Sequence, residues 1–74
     1  MARPATTVRR LTTSLREADV DNLREVTEAT RLTENDAIRK ALATEAFVQE
    51  VLRGGGSVLV KDADDKIRQV VFVG

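Results

Sequence analysis

The sequence contains no cysteine, no histidine, no tryptophan and no tyrosine, and its aromatic residues are Phe47 and Phe72. Without cysteine there is neither a disulfide framework nor a thiolate metal site. Without histidine the commonest general base and transition-metal ligand are missing. The scarcity of aromatics disfavours recognition of nucleic acid by base stacking. Because no nucleophile–base pair or metal cluster emerges, we expect neither an enzyme nor a cofactor-dependent protein.

Long hydrophobic runs are also missing. No apolar stretch approaches the ~20 residues that span a bilayer, and the N-terminus has no hydrophobic signal core. We therefore expect a cytoplasmic protein without a membrane partner. A chain of 74 residues provides one small domain, and chains of this size often gain stability by forming oligomers.

The formal net charge is zero, but the charges are segregated along the chain. Residues 1–16 contain four arginines and no acid, whereas residues 17–50 contain nine acids and four bases. A local basic element can engage phosphates while acidic surface elsewhere keeps a protein soluble. A basic N-terminus without a partner is the alternative interpretation of the same pattern.

Residues 8–15, VRRLTTSL, alternate between two kinds of side chain, which predicts a β-strand. One predicted face carries Leu11, Thr13 and Leu15. The other carries Arg10, Thr12 and Ser14. A single strand leaves its edges unpaired, so we expect the same segment of a second copy to pair with it. Residues 1–7, before the strand, are expected to form a flexible arm.

Helical spacing of apolar residues predicts two helices, over residues 17–30 and about 34–53. Thr33 is the expected N-cap of the second helix. The apolar stripe of that helix is wider than one neighbour requires, which favours burial by a second subunit. Its members are Ala37, Ile38, Ala41, Leu42, Ala46, Phe47, Val48, Val51 and Leu52.

The glycine triplet at residues 54–56 is predicted to end the second helix and act as a linker. Residues 57–74 then read as a β-hairpin around the polar segment at residues 62–65. Its second run is apolar on both faces, which predicts cover on both sides. One face has Ile67, Val71 and Val73; the other has Val70 and Phe72. The aspartates of the polar segment lack the glycine and glutamate of a calcium loop, so we expect a solvated turn.

The order of strand, helix, short turn and helix over residues 8–53 resembles the ribbon-helix-helix superfamily, which includes the Arc, MetJ and CopG repressors. The stretches RRLTTSL, VDNLREV and RLTENDAIRKAL look closest to the CopG type. They align without gaps from Arg10 to Leu42. The resemblance covers about two-thirds of the chain and leaves the hairpin unexplained. It implies an α+β fold: a ribbon-helix-helix dimer with an added C-terminal β-hairpin.

The resemblance implies that two N-terminal strands form an antiparallel ribbon in the major groove of double-stranded DNA. A groove ~12 Å wide admits such a ribbon. The implied base-contacting residues are Arg10, Thr12 and Ser14. The resemblance implies a phosphate contact at the start of the second helix, from Thr33, Glu34 and Asn35. We expect Arg9 and Arg16 to contact phosphates, or to be solvated charges, and not to read bases. The implied dimer core consists of Leu11, Thr13, Leu15, Leu23, Ile38 and Leu42.

Two residues depart from the family pattern. Arg31 stands in the turn between the helices, where many family members have glycine, and Glu34 brings a negative charge to the implied phosphate site. An l-residue adopts the left-handed conformation only at a cost, so the turn is expected to differ.

The expected function is that of a homodimeric, sequence-specific repressor, with a prokaryotic, plasmid or phage origin compatible with the resemblance. Two alternatives stay open at this point. The chain could be an antitoxin whose C-terminal part binds a toxin, or a dimerisation or adaptor module that adds a partner strand at the hairpin edge. Arg10, Thr12 and Ser14 would then be the solvated face of a strand.

Overall fold

A computed structural model describes residues 7–72 of the chain. Two helices, α1 (Glu17–Thr30) and α2 (Glu34–Arg53), precede a two-stranded antiparallel hairpin of β1 (Val58–Lys61) and β2 (Ile67–Val70). The chain is therefore a small α+β protein. Both helices begin and end where the sequence predicts. Val73 and most of the predicted N-terminal arm lie outside the described residues.

The start of α1 is fixed by a backbone hydrogen bond to an acidic side chain. The backbone N–H of Arg16, in extended conformation, donates to the Asp19 carboxylate at 2.9 Å. This bond satisfies a donor beside the first turn, as one half of a capping box does. Asp19 also lies at the positive end of the helix dipole, where a carboxylate is favourable.

The turn between the helices depends on Arg31, which adopts the left-handed conformation with φ 58° and ψ 25°. Its backbone N–H donates to the Thr27 carbonyl at 2.8 Å, closing the end of α1. Two residues later, Thr33 is the N-cap of α2, and its hydroxyl accepts from the backbone N–H of Asp36 at 3.2 Å. The predicted N-cap is confirmed. The expectation of a different turn is wrong, because Arg31 adopts the left-handed conformation that glycine takes more easily.

The glycine triplet ends α2, as predicted. Gly55 has φ +83°, which glycine adopts without steric cost. A Cβ at Gly56 would lie 2.8 Å from the Val51 Cγ1 atom, so this position has no room for a side chain. The chain consequently turns tightly from the last turn of α2 into the hairpin.

The hairpin has the register Val58 with Val70 and Lys61 with Ile67. Its turn is closed by the backbone N–H of Asp65, which donates to the Asp62 carbonyl at 3.0 Å. Asp65 has φ 65°, the left-handed position of a three-residue hairpin loop. The second strand ends at Val70, earlier than the apolar run predicts. The predicted cover on both of its sides is not provided by the single chain, where Ile67 and Phe72 are exposed.

The predicted strand over residues 8–15 has no hydrogen-bonded partner strand within the described range, residues 7–72. Residues 7–16 contain no helical turn, hydrogen-bonded turn or bend, and all of them are exposed. Strand pairing requires a second strand, and no strand among the described residues lies beside this segment. The pairing predicted here involves a second copy and stays a prediction.

Among the described residues, the buried core of the single chain consists of Ala37 and Val48. α2 is the central element and contacts both α1 and β1. The chain exposes 7200 Å², whereas a folded monomer of this mass exposes about 4500 Å². Counting the eight residues outside the described range as fully exposed still leaves an excess of about 1800 Å².

Candidate functional site

An open groove of about 980 Å³ lies between the N-terminal segment (residues 8–15), α1 and the first half of α2. Its walls are formed by Val8, Arg9, Arg10, Leu11, Thr12, Thr13, Leu15, Asp19, Asn22, Leu23, Val26, Asn35, Ala37, Ile38, Arg39, Ala41 and Leu42. Most of the lining is aliphatic. Because the groove is open and apolar, it leaves unfavourable apolar surface in contact with water.

The groove brings together all six residues of the predicted dimer core. Leu11, Thr13 and Leu15 come from the N-terminal segment, Leu23 comes from α1, and Ile38 and Leu42 come from α2. Leu23 is half-buried, whereas Leu11 is 79% and Leu42 65% exposed. The single chain therefore assembles these side chains around one space without filling it.

Arg10, Thr12 and Ser14, the predicted base-contacting residues, are all exposed. Arg10 and Thr12 line the groove, and Ser14 does not. Within residues 7–72, none of the three side chains makes a hydrogen bond or an ion pair, so their polar atoms face solvent. The separation of two faces along this segment depends on strand pairing and stays a prediction.

The predicted phosphate contacts of the N-terminal part are Arg9 and Arg16. Arg9 is exposed and lines the groove. The guanidinium Nε of Arg16 lies 3.4 Å from the Asp19 carboxylate, and its side chain is 89% exposed. Arg16 is thus held at the start of α1 while most of its donor groups stay accessible.

Hydrogen bonding from the Arg16 backbone N–H lowers the pKa of Asp19 below its usual value, and the Arg16 guanidinium acts in the same direction. Both interactions favour the charged carboxylate and outweigh its partial desolvation. At neutral pH Asp19 is therefore an anion that caps α1 and orients Arg16.

The start of α2 presents backbone donors beside the groove. The Thr33 hydroxyl is engaged with the backbone N–H of Asp36, and the Thr33 carbonyl accepts from that of Ala37 at 2.8 Å. Within the described part of the chain, the backbone N–H groups of Glu34 and Asn35 have no acceptor. Free donors at a helix N-terminus favour an anion, and Asn35 lines the groove. The Glu34 carboxylate opposes this effect.

Sequence reasoning missed several groove residues, among them Asn22 and Arg39. Asn22 is exposed and stands in the sequence next to the half-buried Leu23 of α1. Arg39 forms an ion pair with Asp36 in the first turns of α2. Their proximity to the apolar stripes was the available signal.

No family model, no curated protein and no solved structure matches this chain. Among the described residues, no helix is both long and apolar enough to cross a membrane. The same part of the chain contains no group of acidic residues arranged to hold a metal ion. The features that indicate a function are therefore the geometry and charge of the groove.

Proposed function

We propose that this protein is a homodimeric repressor that reads the major groove of DNA with an antiparallel ribbon formed by residues 8–15 of two copies. The observation that carries the proposal is the unfilled apolar groove beside an exposed basic segment that has no strand partner among residues 7–72. Both features are accounted for by one event, the docking of a second copy on the groove.

The exposed area favours an obligate dimer. Obligate interfaces bury about 1000–2500 Å² on each subunit. The chain's excess exposure of about 1800 Å² falls within that range. A two-fold arrangement would pair each N-terminal segment with its copy and cover Leu11, Leu15 and Leu42 of both chains.

Charge distribution supports DNA as the ligand of the ribbon. Arg9, Arg10 and Arg16 lie in or next to the segment, and the dimer doubles their number. By contrast, α1 carries exposed acids at helical spacing that fall on one face. They are Glu17, Asp21, Glu25 and Glu28. A basic ribbon with acidic flanks directs one end of the dimer towards phosphates.

In this proposal the contacts divide by chemistry. Arg10 donates two hydrogen bonds to a guanine, and the hydroxyls of Thr12 and Ser14 contact neighbouring base edges. Arg9, Arg16 and the backbone donors at Glu34 and Asn35 contact phosphates, which fix the position of the ribbon. A two-fold protein reads a pseudo-palindromic operator. Occupation of that operator in the cytoplasm would block access of polymerase to the promoter.

The proposal is tested by recovering the operator and then removing one guanidinium. Fragments of genomic DNA are captured with the protein and sequenced, and affinity for the recovered site is measured as salt rises. Arg10→Ala is expected to cost ~1–3 kcal/mol at the recovered site and less on unrelated DNA. Affinity of the unaltered protein should fall steeply with salt because bound phosphates release counterions.

Arg53→Ala is the matched control. It removes the same charge at the far end of α2, a 20-residue helix ~30 Å long, and should leave operator affinity within about twofold. Equal losses for the two variants, or equal losses on operator and unrelated DNA, would remove Arg10 from base recognition. Absence of DNA affinity at all salt concentrations would contradict the whole proposal.

A further inference from the structure

The outer edge of the hairpin is open. Among the described elements, β2 lies beside β1 alone, whereas β1 also contacts α2. The outer edge of β2 is therefore unpaired and is not contacted by either helix. An unpaired strand edge presents a row of backbone donors and acceptors that can template another strand.

The register identifies the outward-facing backbone groups. The backbone N–H of Asp62 donates to the Lys66 carbonyl at 2.8 Å, so this pair faces inward. Inward and outward pairs alternate in an antiparallel ladder, which makes Ile67 and Gln69 the outward positions of β2. Val71 continues the same phase beyond the end of the strand.

The side chains of these positions share one face of the hairpin with Leu59, and the apolar members are exposed. Leu59 is 60%, Ile67 64% and Val71 74% accessible to solvent. Edge strands are commonly protected by charged side chains or proline, and no residue of β2 or its continuation to residue 72 is a proline. The single charge of β2, that of Arg68, lies on the opposite face.

The charged side chains of the hairpin are matched with each other. Lys61 pairs with Asp65 at 3.0 Å, and Arg68 pairs with Asp62 at 3.0 Å. Lys66 lies 3.8 Å from the Asp64 carboxylate. Residues 57–72 are therefore electrically neutral, with each formal charge next to an opposite one. Such a surface offers no charge to select an acidic or basic partner and suits a neutral, apolar one.

We propose that β2 pairs with β2 of a second copy of this chain, antiparallel around a two-fold axis at Gln69. The two hairpins then form one four-stranded sheet in the order β1, β2, β2, β1. Gln69 lies opposite Gln69 of the other copy, and Ile67 lies opposite Val71. In this register the outward backbone groups of both strands meet as hydrogen-bonded pairs.

The side chains that face each other in this register are compatible, which supports a second copy as the partner of the β2 edge. Arg68 faces Val70 of the other copy, and Lys66 faces Phe72, so no like charges are opposed. The Gln69 amides contribute a donor and an acceptor to each other. This pairing does not depend on DNA binding, because the hairpin follows the end of α2 and the groove lies at its beginning.

The first test is disulfide trapping, which the absence of native cysteine makes specific. Across a hydrogen-bonded pair the Cα atoms are ~5.5 Å apart, within the ~4.4–6.8 Å span of a disulfide. Gln69→Cys in the full chain is therefore expected to form a covalent dimer under mild oxidation. Leu59→Cys, one strand further from the axis on each side, is the control and should not. Equal trapping of both variants, or of neither, would overturn the proposal.

The second test uses charge at the same position. Gln69→Lys and Gln69→Glu each place like charges opposite one another at the two-fold axis. Each should therefore raise the dissociation constant of the hairpin-paired dimer about two- to fivefold, as measured by sedimentation equilibrium. Mixing the two variants creates an opposite-charge pair and should restore it. Ser57→Lys adds the same charge beside β1 and should change nothing. Wild-type association of both Gln69 variants, or a mixture as weak as either alone, would contradict pairing at a two-fold axis.

Discussion

At the scale of single residues, the turn between the helices depends on an arginine with positive φ. The left-handed conformation costs an l-residue ~1–2 kcal/mol relative to glycine, and Arg31 adopts it at the end of α1. The sequence indicated a turn at Arg31 but not its backbone conformation. Glycine is common at the end of a helix, so an arginine there predicts either strain or a different turn. The backbone hydrogen bond to Thr27 retains the turn despite that cost.

Arg31→Gly is expected to raise the free energy of unfolding by about 1 kcal/mol, since glycine adopts this conformation without the Cβ clash. Arg31→Ala removes the same side chain but keeps the Cβ, so it should not stabilise the protein. Urea denaturation of both variants and the unaltered protein provides the comparison. Equal stability of the two variants would show that the conformation at residue 31 carries no strain.

Asp19 is expected to make α1 sensitive to acid. Its pKa is lowered in the folded state, so its stabilising effect is present above its ordinary value of 3.8 and is lost as pH falls through the lowered pKa. Asp19→Asn should therefore be less stable than the unaltered protein at pH 7, and the difference should vanish in acid. Thermal unfolding followed by circular dichroism at several pH values measures it.

Asp21→Asn is the control for this prediction. Asp21 lies on the same helix, 3.6 Å from Arg24, but accepts no capping hydrogen bond. Its effect should be small at every pH because exposed ion pairs contribute little. A pH dependence for Asp21→Asn as large as that for Asp19→Asn would mean that helix charge in general, and not the Arg16 bond, is responsible.

At the scale of elements, the Thr33 cap defines where α2 begins. Thr33→Ala leaves the backbone N–H of Asp36 without its side-chain acceptor and is expected to cost ~1 kcal/mol of stability. Thr33→Asn keeps a capping oxygen and should lie within a few tenths of a kcal/mol of the unaltered protein. Denaturant titration of the two variants measures both effects. An equally large loss for Thr33→Asn would contradict the capping role.

Elements that depend on local signals were predictable from the sequence. The helices follow from apolar spacing, a threonine cap and a glycine stop, all of which act within a few residues. The hairpin also follows from its turn, although β2 is shorter than the apolar run predicts. Residues 71 and 72 lie beyond the part of β1 that could pair with them. The length of β2 is therefore limited by the length of β1. The apolar pattern of residues 66–73 alone does not reveal this limit.

The candidate site was predictable in part. Its apolar members followed from alternation in residues 8–15 and from the broad stripe of α2, and all six predicted core residues do line one groove. The proposed pairing of the N-terminal segment would involve another chain, so neither local sequence nor a single chain can display it. The polar groove residues Asn22 and Arg39 were missed because periodicity identifies apolar faces and not their margins.

For the molecule as a whole, one chain is more open than a compact monomer of its size. It buries about 40% of the surface of its extended form, compared with about 60% for a stable domain of similar size. Its radius of gyration is 15.2 Å, whereas a compact chain of this length has about 11 Å. In the proposed dimer, association through the groove would increase the buried fraction, and stability should then depend on protein concentration.

Leu42 and Phe47 allow a matched test of this association. Both are 65% exposed on α2, but Leu42 lines the groove and Phe47 does not. Leu42→Asp should weaken dimerisation about a hundredfold, or ~3 kcal/mol, because it would bury an unpaired carboxylate. Phe47→Asp should change it by less than about 0.5 kcal/mol. Sedimentation equilibrium measures both, and equal effects would place the interface elsewhere.

In the proposed dimer, residues 8–15 form a strand only when two copies meet. Amide hydrogen exchange of the DNA-free dimer tests it most directly, because an antiparallel pair protects alternate amides along the segment. We predict slow exchange at every other position from residue 8 to residue 15, lost on dilution below the dimer dissociation constant. Exchange at the rate of an unfolded peptide throughout this segment, in a sample shown to be dimeric, would contradict the claim.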